Sequence, residues 1–260
     1  MIVISKILMK HKGPIRKFVF RCFMFKKGDM RKSRWVEFDE WLLFLTRNRV
    51  EELDPFFMPS AYVLPDFIIS CSTLKKLRLF GVFLEPIKTP CIFPNVTSLC
   101  LQCVLFGSRN LLHSPTALPM LKSLECANIS SFNITAPKLR SLKALGRTIH
   151  GVLPVTLDLN PICSLHLCDC SAKDIIEELT RLGKHGSTLN VGCLKLHLWV
   201  EHDEIPSFIN LLRMCPQLYK VDVQLSVPKS VIFGVMDNHC SIKLNCSCIL
   251  LGCGNYCWPE

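Results

Sequence analysis

The chain has 260 residues, of which 49% are hydrophobic and 20% are charged, with a formal net charge of +10 and 16 cysteines. This length can bury a sizeable core, and no apolar run reaches the roughly 18 residues that a membrane span requires. The opening MIVISKILMK is interrupted by Lys6 and Lys10 and lacks the small-residue cleavage site of a secretory signal. A secreted disulfide framework is therefore disfavoured. We predict a cytoplasmic or nuclear chain whose cysteines are mostly small buried apolar residues.

The positive charge is concentrated at the start of the chain. Residues 1–34 contain 11 of the 31 basic residues and one of the 21 acidic residues, so that 20 of each sign remain beyond them. Such a basic segment could attract acidic protein, a membrane surface or nucleic acid, although a solvated basic end of the fold is the commoner case. Lys26-Lys27 and Arg31-Lys32-x-Arg34 also fit a nuclear address, a pattern that often arises by chance.

The first predicted elements are a strand, a helix and a short outer helix. The strand is IRKFVF, 15–20, and Ser33 can cap a helix that runs to about Arg47. A short helix over 64–69 follows, with Pro65 near its first position. The longer helix carries one apolar stripe at three- and four-residue steps, which predicts a buried face. The stripe consists of Trp35, Phe38, Trp41, Leu42 and Leu45.

A strand pattern recurs from LKKLRLF, 74–80, onward. Because a strand turns successive side chains to opposite faces, Leu77 and Leu79 are predicted to point into a core, and Lys76 and Arg78 to solvent. The pattern is apolar-x-x-apolar-x-apolar. Clear copies begin at Ile15, Leu74, Val96, Ile162 and Leu218, and imperfect copies at Val50, Leu121, Leu139 and near Cys193.

The spacing of these copies is that of a repeat protein. Their central apolar residues after the first copy are Leu53, Leu77, Leu99, Leu124, Leu142, Leu165, Leu196 and Val221, at intervals of 24, 22, 25, 18, 23, 31 and 25 residues. Most intervals lie within the 20–29 residues of leucine-rich repeats, whose short strands stack in parallel along the inside of a horseshoe. The asparagine of a regular repeat is missing, so the repeats are degenerate.

The segments between the predicted strands complete the fold prediction. Proline precedes four strands, at Pro94, Pro119, Pro137 and Pro216, where it fixes the backbone as the chain enters the strand. Longer outer helices are predicted over 174–182 and 206–214. We therefore predict an α/β leucine-rich-repeat solenoid, a horseshoe with parallel strands on its concave face and irregular helices and loops on its convex face.

The end of the chain departs from the pattern. We predict a degenerate array over 1–227, with a basic first repeat over 1–34, and a Cys-rich divergent tail over 228–260. The tail contains His239 and the cysteines Cys240, Cys246, Cys248, Cys253 and Cys257, separated by five, one, four and three residues. Zinc sites usually pair thiolates two to four residues apart, so the spacing fits only in part. We predict no metal site, but a degenerate final strand followed by a poorly ordered end.

Signals for catalysis and for nucleic-acid binding are weak. The sequence has no Gly-rich phosphate loop, no His-Glu-x-x-His and no nucleophile elbow. The pairs Cys163/His166 and Cys168/His197 could meet across strands, but buried structural cysteines are far commoner than catalytic ones. Nucleic-acid binding would rest on the basic first repeat alone, with no recognised module beside it. We therefore predict no enzyme and no cofactor, and regard a nucleic-acid partner as disfavoured.

Six segments resemble one family. The segments are HKGPIRKFVF (11–20), LPDFIISCSTLKKLRLFGV (64–82), FPNVTSLCLQCVLF (93–106), LPMLKSLECANIS (118–130), APKLRSLKAL (136–145) and FINLLRMCPQLYKVDV (208–223). Over roughly 10–225, the chain resembles the leucine-rich part of plant F-box/LRR-repeat proteins, a group that often carries an FBD segment.

The resemblance implies a role in protein binding. In that family an F-box segment docks on the Skp-type adaptor of a cullin–RING ubiquitin ligase, and the repeats present a substrate. The chain would then be the substrate-recognition part of an SCF-type receptor, with an unknown protein as its partner. Only about 14 residues precede the first repeat strand, which leaves no room for an F-box, so adaptor binding is not expected. The alternative is a truncated or stand-alone scaffold, or a basic nucleic-acid-associated protein, without a ligase role.

The binding residues are predicted by counting along each strand. In such a horseshoe, the residues one before, one after and three after each central position face the concave side. The predicted partner-binding residues are Lys17, Arg21, Lys76, Arg78, Phe80, Lys143, His166, Lys195, His197, Trp199 and Lys220. The same count places Val19, Ser123, Glu125, Ser141, Ser164, Asp222 and Gln224 beside them.

These residues suggest a ligand class. We expect a mostly basic face that prefers an acidic protein segment, with Phe80 and Trp199 as apolar anchors, since aromatic residues and arginine dominate binding hot spots. A solvated strand face without a dedicated ligand is the competing interpretation.

Overall fold

The structure is a computed structural model. It describes residues 2–23, 33–58, 62–85, 92–106, 116–129, 134–145, 161–170, 188–199, 205–227 and 240–246. The predicted helix over 174–182 lies outside these ranges, as do His239, Cys248, Cys253 and Cys257 of the tail.

Four helices and 15 strands follow one another in the described ranges. The helices are α1 (Ile2–Lys10), α2 (Ser33–Arg47), α3 (Asp66–Ile69) and α4 (Ile205–Arg213). The strands are β1 (Lys17–Phe23), β2 (Glu52–Met58), β3 (Tyr62–Val63), β4 (Lys76–Phe80), β5 (Val82–Leu84), β6 (Ser98–Gln102), β7 (Leu105–Phe106), β8 (Thr116–Ala117), β9 (Ser123–Ala127), β10 (Ile134–Thr135), β11 (Ser141–Leu145), β12 (Ser164–Cys170), β13 (Cys193–Trp199), β14 (Lys220–Val227) and β15 (Cys240–Cys246). None of these helices is long and apolar enough to cross a lipid bilayer.

The main sheet joins ten of the described strands. Their order is β1-β2-β4-β6-β9-β11-β12-β13-β14-β15, and two smaller sheets, β3-β5-β7 and β10-β8, lie alongside. Every neighbouring pair from β1 to β14 is parallel, whereas β15 pairs antiparallel with β14. Parallel strands that follow one another in chain order at repeat spacing define a solenoid. The predicted α/β leucine-rich-repeat architecture is confirmed.

The strand register corrects one predicted repeat. Leu165 pairs with Leu194, and Leu194 pairs with Val221. Leu194, not Leu196, is therefore the central residue of this copy, and the last two intervals become 29 and 27 residues when counted along the sequence. The prediction slipped by two because the segment Cys193–Trp199 alternates apolar residues over its whole length. A slip of two leaves every side chain on its correct face, whereas a slip of one would reverse all of them.

The alternating pattern divides each strand between core and solvent. In β4 the side chains of Leu77 and Leu79 are 1% exposed, while those of Lys76 and Arg78 are exposed. Burying a leucine completely contributes about 1.5–3 kcal/mol. The central residues of all copies from β2 to β13 are likewise buried, so the leucine ladder is the core of the solenoid.

A proline turn precedes four of the repeat strands. In each, the residue two after the proline donates its backbone N–H to the carbonyl of the residue before it, over 3.0–3.2 Å. The donor and acceptor pairs are Val96–Phe93, Leu121–Leu118, Leu139–Ala136 and Leu218–Cys215. The proline thus occupies the second position of a β-turn, where its fixed φ is favourable. The predicted role of these prolines at strand entry is confirmed.

The helices cover the first repeat and the outer side. Helix α2 spans Ser33–Arg47 as predicted, and its Phe38, Trp41, Leu42 and Leu45 are buried. Helix α1 was not predicted. It contributes Leu8 to the core, and its Ser5 hydroxyl accepts a 2.8 Å hydrogen bond from the indole N–H of Trp41.

The two remaining described helices lie near their predicted positions. Helix α3 begins at Asp66, two residues after the start of the predicted range 64–69, and Pro65 is its N-cap. Helix α4 is displaced by one residue from the predicted range. Helix ends defined by hydrogen bonding commonly vary by this amount.

A buried phenol closes the aromatic core of the first repeats. Tyr62 is 1% exposed, and its ring packs against Phe38 and Phe57 at centroid distances of 5.0 and 4.6 Å. Its hydroxyl donates a 2.5 Å hydrogen bond to the carboxylate of Asp39. Burial raises the pKa of Asp39, an effect that the Tyr62 hydrogen bond opposes, and burial raises the pKa of Tyr62 as well. The bond therefore satisfies two polar groups held partly out of water.

Tyr62→Phe is expected to destabilise the fold by about 1–3 kcal/mol near neutral pH, because a half-buried carboxylate loses its donor. Losing that donor raises the pKa of Asp39 further. The folded state then favours the protonated acid more strongly, so the penalty should shrink as the pH falls through that pKa. Denaturant unfolding at neutral and acidic pH measures both effects. Tyr219→Phe, at a tyrosine that is 62% exposed, is the control and should change neither. An equal penalty at both pH values would contradict the assignment.

The described cysteines are less uniformly buried than predicted. Of nine with described side chains, Cys71, Cys100, Cys126 and Cys215 are buried, four are half-buried and Cys163 is exposed. Burial raises the pKa of Cys100 and Cys215 to about 11 and raises that of Cys126 strongly. These thiols are therefore protonated near neutral pH and inert as nucleophiles.

Native-state alkylation with iodoacetamide should therefore modify Cys163 well before Cys126 and Cys215, because only exposed thiols that form thiolate react readily. Mass spectrometry of peptides after a short pulse at mildly alkaline pH measures the order. In denaturant the three cysteines should react at similar rates. Labelling of Cys126 as fast as Cys163 in native buffer would contradict the described packing.

Candidate functional site

The side chains of β1 to β14 that point away from the leucine core form one continuous surface, which we call the inner face. Because the strands pair in register, these side chains fall into three rows across the sheet. The first row is Lys17, Glu52, Lys76, Ser98, Ser123, Ser141, Ser164, Cys193 and Lys220. The second row is Val19, Asp54, Arg78, Cys100, Glu125, Lys143, His166, Lys195 and Asp222. The third row is Arg21, Phe56, Phe80, Gln102, Ala127, Leu145, Cys168, His197 and Gln224.

Three inner-face residues of β2 were missing from the prediction. Glu52, Asp54 and Phe56 lie one before, one after and three after the central Leu53. The counting rule that identified the other residues would have found them, had it been applied to the imperfect copy that begins at Val50. The omission removed two of the acids that lie among the predicted cations.

Acidic residues pair with most of the inner-face cations. Glu52 lies between two lysines, with its carboxylate oxygens 3.4 Å from Lys17 Nζ and 2.7 Å from Lys76 Nζ. The hydrogen bond from Lys76 is the main cause that lowers the pKa of Glu52. Arg21 forms a bidentate pair with Asp54, at 3.1 and 2.8 Å. Such opposite charges on adjacent strands stabilise a sheet face.

Two further pairs lie towards the other end of the face. Lys143 Nζ is 3.0 Å from a Glu125 oxygen, and Lys195 Nζ is 3.3 Å from an Asp222 oxygen. Five of the seven inner-face cations are thus paired in this structure. The expected mostly basic face is instead a mixed-charge face with a positive surplus.

Seven cations face four acids on the inner face, and one charge of the surplus arises because Lys17 and Lys76 share Glu52. The other two surplus charges are those of Arg78 and Lys220. Both side chains are exposed, and within the described residues neither makes a hydrogen bond or an ion pair. Arg78 lies in the middle of the row that also holds Asp54 and Glu125, yet both acids are paired with other cations.

A shallow depression surrounds Arg78. Its volume is about 280 Å³, and it spans β2, β4, β6 and β9. Its lining includes Glu52, Asp54, Lys76, Arg78, Ser98, Cys100, Ser123 and Glu125. Burial raises the pKa of Cys100 to about 11, with Glu125 adding to the shift and Arg78 opposing it. The thiol is therefore neutral near pH 7 and places no negative charge beside Arg78.

An aromatic pair borders the depression in the third row. The rings of Phe56 and Phe80 stack at a centroid distance of 4.0 Å and an interplanar angle of 17°. Both side chains are half-buried. The guanidinium of Arg21 lies 5.9 Å from the Phe56 centroid, within the range of a cation–π contact. The inner face thus presents two half-buried aromatic rings next to Arg78, which is unpaired within the described residues.

Trp199 lies apart from Phe80. Its Cα is opposite Ser226 near the end of β14, two residues beyond the last of the three rows, because the predicted centre of β13 was displaced by two. Phe80 on β4 and Trp199 on β13 are five strands apart, roughly 24 Å at the usual strand spacing. The structure therefore does not combine the two predicted aromatic anchors into one site.

Of the two cysteine–histidine pairs considered for catalysis, Cys163/His166 is replaced in the structure by Cys168/His166. Cys163 Sγ contacts the carbonyl of Arg140 at 3.4 Å, whereas Cys168 Sγ lies 3.0 Å from His166 Nε2. The backbone of Cys168 is paired with His197 on the adjacent strand. Burial, followed by Lys143 and Lys195, lowers the pKa of His166.

His166 is consequently neutral near pH 7, and the contact lacks the imidazolium that activates a catalytic thiolate. Within the described residues, no group of three or more His, Cys, Asp or Glu side chains is arranged to hold a metal ion.

The fold and the inner face define a leucine-rich-repeat protein-interaction module, a class that generally binds rather than catalyses. Residues 38–154 match the family model described as FBD-associated F-box protein At5g56370, LRR repeats. The F-box/FBD/LRR-repeat protein At1g13570 of Arabidopsis thaliana is 28% identical over 141 residues, which are 54% of this chain and 32% of that protein. The matched segment thus spans about a third of the curated relative. No solved structure matches the chain.

These matches confirm the resemblance stated from the six sequence segments. The repeat array is similar to the leucine-rich-repeat portion of plant F-box/FBD/LRR-repeat proteins.

Proposed function

We propose that the array is the substrate-binding part of an SCF-type ubiquitin ligase receptor, and that its inner face binds an acidic segment of a substrate protein. The observation that carries this proposal is the positive surplus of the inner face, which includes Arg78 and Lys220, both unpaired within the described residues. We expect the protein to act in the cytoplasm or the nucleus, where such ligases work.

Two considerations favour a protein ligand over other classes. The relatives are named as F-box proteins, and the matched region is their repeat region, the part that presents a substrate in the family. A solenoid offers an extended surface suited to a macromolecule, and the mixture of acids, cations and aromatic rings on this surface suits a polypeptide of mixed character.

The charged part of the proposal is tested by reversing the two unpaired cations. Arg78→Glu with Lys220→Glu breaks no ion pair among the described residues, so the fold should persist. The matched control reverses two exposed cations outside the inner face, Lys138 in a proline turn and Arg213 at the end of α4. Tagged wild-type, double-variant and control chains are purified from plant cells, and bound proteins are quantified by mass spectrometry.

A stoichiometric partner should be recovered with the wild-type and control chains and should fall at least tenfold with the double variant, because opposite charge across an interface guides and stabilises association. Co-recovery of a Skp-type adaptor and a cullin would support the ligase role. A partner recovered without them would contradict that role and leave a binding module. Unchanged recovery with the double variant would contradict recognition of an acidic segment, and the absence of any partner would contradict the proposed function.

A further inference from the structure

We propose that the inner face contains a two-part peptide site, in which Arg78 binds a carboxylate and the Phe56–Phe80 pair binds an apolar side chain two residues away. This inference rests on the proposed function and names its ligand class: an extended segment with an acidic and an apolar residue separated by one position.

The half of the site that binds an anion is identified by the ion pairs of the residues around Arg78. Lys17 and Lys76 share Glu52, and Asp54 is held by Arg21. Glu125, which also lines the depression, is held by Lys143. Among the described residues of this depression, Arg78 is consequently the cation whose donors remain available. A guanidinium presents its donors in a fixed fork that matches the two oxygens of a carboxylate.

Two hydroxyl groups add hydrogen-bond donors to this anion-binding half. Ser98 and Ser123 line the same depression, and within the described residues their side chains make no hydrogen bond. Both are half-buried on the first row, one strand and two strands from β4. A hydroxyl can donate to a carboxylate oxygen, so the depression offers donors of two kinds around one position.

The apolar half of the site lies two residues from Arg78 along β4. Arg78 and Phe80 are two residues apart on β4 and project from the same face, so their side chains start roughly 6.6 Å apart. The stacked partner Phe56 widens the aromatic surface on the side of β2. An apolar side chain placed there would cover rings that are already half-buried, a favourable contact for aromatic surfaces.

The side chains of an extended peptide have the same spacing as those of Arg78 and Phe80. Its residues i and i+2 project to one side, again roughly 6.6 Å apart. A peptide lying along β4 therefore brings an aspartate or glutamate to Arg78 when an apolar residue reaches Phe80. The peptide can run in either direction, which gives the orders acid-x-apolar and apolar-x-acid.

The acids around the depression favour a peptide over a nucleic acid. A nucleic-acid strand carries a phosphate at every nucleotide, and it would bring several of them close to Glu52, Asp54 and Glu125. A single carboxylate can reach Arg78 without such repulsion. The mixed charge of the site thus selects an isolated negative charge rather than a polyanion.

The test uses fluorescein-labelled synthetic peptides and the full chain in fluorescence-anisotropy titrations. The two probes are Gly-Ser-Asp-Ser-Leu-Ser-Gly and its reverse order, and matched peptides replace the aspartate with asparagine or the leucine with serine. The protein variants are Arg78→Gln, which removes one charge from an unpaired side chain, and Phe80→Thr, which keeps a strand-forming residue. Lys138→Gln is the control, at an exposed cation outside the inner face. Circular dichroism melting checks that each variant is folded.

At least one probe should bind the wild-type and Lys138→Gln chains tenfold or more tightly than its asparagine and serine counterparts. Arg78→Gln should abolish the preference for aspartate over asparagine and retain the preference for leucine over serine. Phe80→Thr should do the reverse. If Phe80→Thr fails to fold, the Arg78→Gln comparison still tests whether Arg78 binds the carboxylate, and Phe56→Leu tests the apolar half of the site.

Three results would overturn the inference. They are the absence of peptide binding, an aspartate preference that survives Arg78→Gln, and stronger competition by a short single-stranded oligonucleotide than by the unlabelled probe. The proposed function is measured separately, through recovery of a partner from cells. Loss of the partner in the Arg78→Glu/Lys220→Glu chain without any peptide preference would remove only the two-part site, whereas failure to recover a partner would remove the proposed function itself.

Discussion

Parallel pairing in register between consecutive repeats is the constraint on which the rest of this structure depends. Each strand directs two apolar residues into the core, such as Leu77 and Leu79 in β4. Pairing aligns them with their counterparts on the next strand. The period of two in a strand then fixes the opposite face as well. The inner face is therefore a consequence of the core, because no side chain can leave this face without moving a leucine out of the core.

The same register explains the electrostatics of the inner face. Acids and bases that are far apart in the chain become neighbours at the spacing of adjacent strands. Arg21 and Asp54 are 33 residues apart in sequence, yet they form a bidentate pair. Pairing of this kind occupies most of the basic residues of the inner face, and it leaves Arg78 as a distinct feature beside an aromatic pair. The charge available to a ligand is thus decided by which strands are neighbours, and the total charge of the chain does not reveal it.

Sequence patterns predicted most of the framework because the determinants are local. The N-cap and apolar stripe of Ser33–Arg47 are contained within that segment, and the proline turns require only four consecutive residues. Errors arose where a local pattern had two solutions. The strand Cys193–Trp199 alternates along its whole length, so its centre could be placed at Leu194 or Leu196 with equal local support. Only pairing with Leu165 and Val221 selects Leu194.

The sequence by itself determined the fold class, the spacing of the repeats and the face on which each strand residue lies, because periodicity is a property of the chain. The tertiary structure alone decided which residues meet. It placed Glu52 between Lys17 and Lys76, separated Trp199 from Phe80, and left Arg78 unpaired within the described residues. The physical reason is that contacts across a sheet depend on pairing between distant segments, and the energy of a charge depends on the neighbours that this pairing supplies.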